Sequence, residues 1–213
     1  MVDPDTADSA LMALVRAIVT NDSAAALGRL AASPPLANAH FVGGATRQGT
    51  KAYYLDDIEH YVYAGDTALH IAAAAHQREI TRKLVTMGAD VRARNRRGAE
   101  PLHYAADGVP DSGRWNPRAQ AATITYLIEM GADPNAPDRS GVTPLHRAVR
   151  TRCAAAVRAL LDGGADARRT NTSGSTPMQL ATQNTGRGGS GSPKSKAQQA
   201  EIVRLLEQYG ARE

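Results

Sequence analysis

From residue 65 onward, the apolar positions of the chain alternate between two recurring patterns. The first is short and compact: GDTALHIAA at 65–73, GAEPLHYAA at 98–106, GVTPLHRAV at 141–149 and GSTPMQLAT at 174–182. The second steps at the 3.6-residue spacing of an amphipathic helix, as in Ile80, Leu84 and Val85 or Ile124, Leu127 and Ile128. It runs through EITRKLVTMGADVRA at 79–93, ATITYLIEMGADPNA at 122–136, AAVRALLDGGADARR at 155–169 and EIVRLLEQYGAR at 201–212. The leading glycines of the first pattern are 33, 43 and 33 residues apart, and Gly88, Gly131, Gly164 and Gly210 of the second are 43, 33 and 46 apart. A period of 33 with occasional insertions predicts stacked supersecondary units rather than a single globular core.

Each unit reads as helix, turn, helix and hairpin. Thr67, Thr143 and Thr176 are placed to cap the first helix through a side-chain oxygen. Pro101, Pro144 and Pro177 stand in a first turn, where a missing N–H costs no hydrogen bond. Glu100 replaces the threonine in one copy, which leaves that cap open. Leu69, Leu102 and Leu145 point inward, and the following alanines allow close helix approach. The second helix stops at a glycine suited to a left-handed C′ residue. NRRG at 95–98, DRSG at 138–141 and NTSG at 171–174 carry Asn or Asp first and Gly fourth, as a type I turn prefers. Upstream, SALMALVRAIVTNDSAAALGRLAAS at 9–33 shows two helix-sized apolar patterns around Asn21-Asp22.

With its period of 33, TPLH-like box, alanine pair and GAD phrase, the segment from about 65 to 213 resembles the ankyrin repeat family. The resemblance implies an all-α repeat fold, an α-solenoid of about five helix-turn-helix repeats joined by β-hairpin loops. The expected division is a divergent capping repeat at 1–33, an aromatic-rich extended hairpin at 34–64 and repeats at 65–97, 98–140, 141–173 and 174–213. Insertions at 107–117 and 183–196 fall between the two helices of a repeat. End repeats must wet one face, so divergence at 1–33 is expected.

Composition narrows the function. Hydrophobic content of 42% and charged content of 22% over 213 residues belong to a globular chain. The first residues are acidic before the apolar run and Arg16 interrupts it, unlike a signal peptide. No apolar stretch is long enough to span a membrane, so a cytoplasmic location is expected. The net charge of +4 conceals an acidic first third: residues 1–66 hold 4 Lys and Arg against 8 Asp and Glu, and the rest hold 21 against 13. Arginine dominates the cations, as a GC-rich, bacterial genome would give.

Candidate chemistry is sparse. His70, His103 and His146 occupy the same box, and the resemblance makes them structural, bonding locally and to the next hairpin. Three copies do not suit a catalytic base, and Gln179 in the fourth copy can replace a hydrogen bond but not a proton shuttle. Cys153, the only cysteine, lies near Arg150 and Arg152, which favours a lowered thiol pKa and raises an enzyme alternative with Cys153 as nucleophile. It has no evident acid-base partner, and a turn residue is the plainer reading. Histidine spacings do not match a metal site. The protein is therefore expected to be non-enzymatic, without cofactors, and monomeric by default.

The partner-binding expectation also follows from the resemblance, because ankyrin proteins bind through hairpin tips and the exposed end of the first helix, which line a concave groove. Those positions here include Tyr63, Asp66, Arg94, Arg96, Arg97, Asp107, Arg139 and Arg150. Arginines in a row favour carboxylate- or phosphate-bearing partners, and they also serve plain solubility. An acidic protein partner is expected, with nucleic acid or another anionic ligand as the alternative. The insertion at 34–64 carries five of the nine aromatic residues. HFV and KAYYL are expected to pair as an enlarged hairpin, some rings covering the flank of the first two repeats and Tyr61 and Tyr63 remaining as contact candidates. Trp115 either closes the loop at 107–117 or contacts a partner. Residues 183–196 read as a flexible Gly/Ser linker.

Overall fold

The computed structural model describes residues 4–46, 51–110, 113, 115–183 and 192–211. They form two compact units divided between Pro101 and Leu102.

In the first unit, α1 (Pro4–Val19) and α2 (Ser23–Ala32) pack against each other around Leu11, Leu14, Val15, Ile18, Ala26 and Leu30. Asp22 caps α2 by accepting from the Ala25 N–H at 2.9 Å. A short 3₁₀ turn at Pro34–Ala37 leads into the insertion. A second turn at Lys51–Tyr53 precedes strands β1 (Tyr54–Leu55) and β2 (His60–Tyr61), which pair antiparallel. Then come α3 (Ala68–Ala74) and α4 (Arg78–Thr86), with α3 packed on both α1 and α4.

The insertion pairs differently from the sequence expectation. KAYYL pairs with His60-Tyr61, whereas HFV pairs with the approach to α3: His40 bridges Thr67, the Phe41 N–H donates to Asp66 O and the Gly65 N–H to Phe41 O. Burial of Phe41 explains the choice, because this register turns its ring into the core. Asp8 is 34 residues from Val42 in sequence, yet its carboxylate ties α1 to the insertion by accepting from the Val42 and Gly43 N–H groups at 3.0 and 3.1 Å.

The second unit takes α5 (Pro101–Ala106) from its second residue, followed by α6 (Pro117–Glu129), α7 (Pro144–Arg150), α8 (Ala154–Asp162), α9 (Pro177–Thr182) and α10 (Pro193–Gln208). The first helices of successive repeats touch one another through α7 and α9, and the second helices through α6, α8 and α10. Leu127, Leu145, Val149, Val157, Leu160 and Leu205 are among the residues in their core. Of the expected linker at 183–196, residues 184–191 lie outside those described. Lys194 and Lys196 belong to α10, capped by Ser192 with Pro193 in its first turn, so the flexible reading is corrected there. The Ser-Pro step opens a helix despite the Gly/Ser-rich composition around it.

Candidate functional site

The hairpin tips are set by their turn chemistry. The Gly98 N–H returns to Asn95 O at 2.8 Å, Gly141 to Asp138 O at 2.9 Å and Gly174 to Asn171 O at 3.0 Å, and the three glycines have φ of 75°, 69° and 76°. The first residue of each turn also holds its tip from inside. In the first tip, Asn95 Oδ1 accepts from the Arg97 and Ala99 N–H groups, and Asp138 and Asn171 repeat the device.

The tips are held to the helices by the histidines. His70 Nδ1 accepts from the Thr67 N–H at 3.1 Å, which fixes the neutral tautomer with Nε2 as donor, and Nε2 reaches Ala99 O at 3.1 Å. His146 repeats this with Thr143 and Ser175 O, again at 3.1 Å. His103 Nε2 reaches Val142 O at the same 3.1 Å. Burial pushes His103 down to about 3, with the Arg147 charge acting in the same direction, and burial also lowers His146. Gln179 makes the local bond, accepting from the Thr176 N–H at 3.0 Å. A buried, neutral ring donating to a carbonyl is a strut between repeats.

In the first unit the candidate contact residues divide sharply. Asp66 is fully buried: its carboxylate accepts from the Tyr63 N–H at 2.7 Å and from the Asn95 side-chain amide at 2.8 Å. It therefore orders the tip and is corrected from a contact residue to a structural one, since a carboxylate committed inside cannot meet a partner. Tyr63 lies between Arg96 and Arg97, whose guanidinium carbons stand 5.3 and 4.9 Å from the ring centre, and Arg97 donates to its hydroxyl at 3.0 Å. Arg96 also donates to Ala45 O. Both arginines remain exposed. Arg94 is exposed as well, but it pairs at 3.0 Å with Glu100, which is buried. Tyr61 is 38% exposed, and its ring lies tilted against Tyr54 with the centroids 4.7 Å apart.

In the second unit, Arg139 is exposed at its tip and Arg150 is half-buried at the end of α7. Asp107 is partly buried and accepts from Arg147 at 3.0 Å. Arg147 also reaches Asp138 at 3.5 Å and lies over the Tyr104 ring at 5.8 Å, with only 7% of its surface exposed. Asp107 is thus engaged within the fold. Sequence reasoning passed over Arg147, although the signal was present. It stands in the box position that Ile71, Tyr104 and Leu180 fill elsewhere.

Trp115 folds back across the inter-helix loop. Its Nε1 donates to Gln120 Oε1 at 2.8 Å, Lys194 stands over its ring at 5.3 Å, and Gln120 in turn donates to the carbonyls of Ala105 and Asp107. Cys153 is fully buried beneath this loop, and a Cβ on Gly108 would stand 2.7 Å from its sulfur. Burial pushes the thiol up to about 12, the reverse of the lowered value that Arg150 and Arg152 suggested. Arg152 turns its guanidinium away to Ala181 O and Gln183 O, at 2.6 Å each, so its charge supports the end of α9 and not a thiolate. Among the described residues no three His, Cys, Asp or Glu side chains converge as a metal site, and no helix is long and apolar enough to cross a membrane.

A family model described as ankyrin repeat matches residues 64–96 and 97–139, and one described as ankyrin repeats in many copies matches 127–181. Together they span more than half of the chain. The chain belongs to the ankyrin repeat family. No curated protein matches it. Ankyrin repeats are in general protein-interaction modules and typically non-enzymatic scaffolds. The helices and short hairpin of this ankyrin protein are those of the all-α repeat class read from its sequence.

Proposed function

We propose that this ankyrin protein binds an acidic segment of a protein partner through arginines on its hairpin tips. The observation that supports this reading is the grip on Tyr63. Arg96 and Arg97 are exposed, yet each is steadied against one ring, so less side-chain freedom is lost when a carboxylate arrives. The planar guanidinium fork then offers paired N–H groups at a set position. Arg139 extends the same chemistry within the second unit, where it is exposed and unpaired among the described residues. Tyr61 supplies an exposed ring for apolar anchoring.

The test is affinity capture from the source lysate, with mass spectrometry, comparing the intact chain with a double variant, Arg97→Glu and Arg139→Glu. Arg94 is left in place because its loss would remove a charge partner of the buried Glu100 carboxylate and confound binding with folding. Retention of an acidic protein by the intact chain, and its loss from an equally helical variant, is the expected result. Equal retention by both overturns the reading. Nucleic acid captured with a steep loss on raising salt would replace it with the anionic-ligand alternative.

A further inference from the structure

An exposed arginine ordinarily keeps its rotamer freedom, and holding it in one geometry costs side-chain entropy. Arg96 and Arg97 are held nonetheless. Both guanidinium carbons stand within 5.3 Å of one ring centre, that of Tyr63; Arg96 is tied to Ala45 O, and Arg97 to the Tyr63 hydroxyl at 3.0 Å. Neither arginine forms an ion pair among the described residues. Asp66 and Glu100, the carboxylates that do approach this hairpin, are buried and engaged elsewhere: Asp66 with the Tyr63 N–H and the Asn95 amide, Glu100 with Arg94. Two ordered cations are thus left facing solvent on a single tip.

The phenol completes the set. Tyr63 Oη accepts from Arg97, and its own proton has no acceptor among the described residues. Around this ring the unspent hydrogens belong to two guanidinium groups and one hydroxyl. A carboxylate presents two oxygens in one plane and is satisfied by a single guanidinium fork. A phosphomonoester carries close to two negative charges at neutral pH and three acceptor oxygens in a tetrahedral arrangement, so its charge matches the pair of cations and its oxygens can use the phenol as well.

We propose that the tip built on Tyr63, Arg96 and Arg97 recognises a phosphorylated serine or threonine within the acidic segment of the partner. This rests on the reading of the arginine tips as the partner-binding site and names the group that the first of them takes. Arg97 and the Tyr63 hydroxyl, already bonded to each other, meet the phosphoryl oxygens together, and Arg96 supplies the second charge. Nucleic acid fits less well. Each phosphodiester carries a single charge, and the one ring at this tip is taken up by cations and is not free to stack on a base.

The experiment is fluorescence anisotropy of the full chain with short labelled peptides of aspartate and glycine that differ only in carrying serine, glutamate or phosphoserine at the centre. The phosphoserine peptide is expected to bind about tenfold or more tightly than the glutamate one. Arg96→Gln and Arg97→Gln each abolish that preference, and Arg139→Gln leaves it unchanged. Tyr63→Phe, which keeps the ring and removes the hydroxyl, reduces the preference about threefold. None of these four side chains is buried in the core, so circular dichroism should show native helicity. Equal affinity for the phosphoserine and glutamate peptides overturns the proposal and leaves the acidic-segment reading standing, since that reading fails only when the double variant retains the lysate partner. Binding of none of the peptides also overturns it. Inorganic phosphate that displaces the phosphoserine peptide as well as the unlabelled peptide does would assign the tip to a free anion, and tighter binding of a single-stranded DNA oligonucleotide would assign it to nucleic acid; either result overturns the proposal.

Discussion

Arg147 is a buried cation of the second unit that faces two carboxylates. It replaces an apolar box residue, and two carboxylates and a tyrosine ring have been gathered around it. Removing a buried cation that two carboxylates face is costly, so Arg147→Leu should cost about 3–5 kcal/mol in urea unfolding. Adding Asp107→Asn and Asp138→Asn should recover most of that loss, because the amide at 138 still holds the tip. His103 carries a pH dependence of definite sign. Its folded value lies near 3, below the ordinary histidine value, so the unfolded chain binds the proton more readily. Its contribution is complete above pH 6.5 or so and is lost as pH falls towards 3, with about 2 kcal/mol gone by pH 5. His146 adds to the loss in the same sense. Thermal unfolding from pH 7 to 5 should follow this slope, and a flat profile would mean the rings are already solvated. Cys153 should resist a thiol reagent at pH 8 in the native protein and react at once in denaturant.

At the level of single elements, the repeats were legible because their signals are local. Thr67, Thr143 and Thr176 accept from the N–H three residues on, and the box-glycine spacing follows directly from turn chemistry. Three features were not legible, each for a physical reason. Phe41 pairs beside Asp66 and not beside Tyr54, because the register was decided by where its ring could be buried and not by local propensity. The start of α10 was hidden by the Gly/Ser-rich run that precedes its Ser-Pro cap. Asp66 resembled a tip residue, but its carboxylate is consumed by Asn95, a partner 29 residues away. Helix α2 yields its own prediction. Alanine at Gly28 meets open space, so Gly28→Ala should raise stability by about 0.5–1 kcal/mol, measured as a shift of the denaturant midpoint. A loss instead would mean that the helix bends at this point.

Across the whole chain, the histidine struts set a common gauge. His70 reaches a carbonyl 29 residues on and His146 another 29 residues on, whereas His103 reaches Val142, 39 residues on, at the same 3.1 Å. The extra ten residues are taken up by a longer link between α5 and α6 and by a longer α6, and they leave the bond from helix to hairpin unchanged. The same accommodation suits the mostly loose cost of loop length, which grows only with its logarithm. A stretch of ten Gly/Ser residues placed after Gly113 should therefore leave the melting temperature nearly unchanged, while the same stretch placed after Arg97 should lower it sharply by separating Asn95 from Ala99. The region between paired helices thus behaves as a cassette. A foreign recognition loop transplanted there would inherit a rigid mounting, and the chain could acquire new specificities by exchanging that segment without redesigning its core.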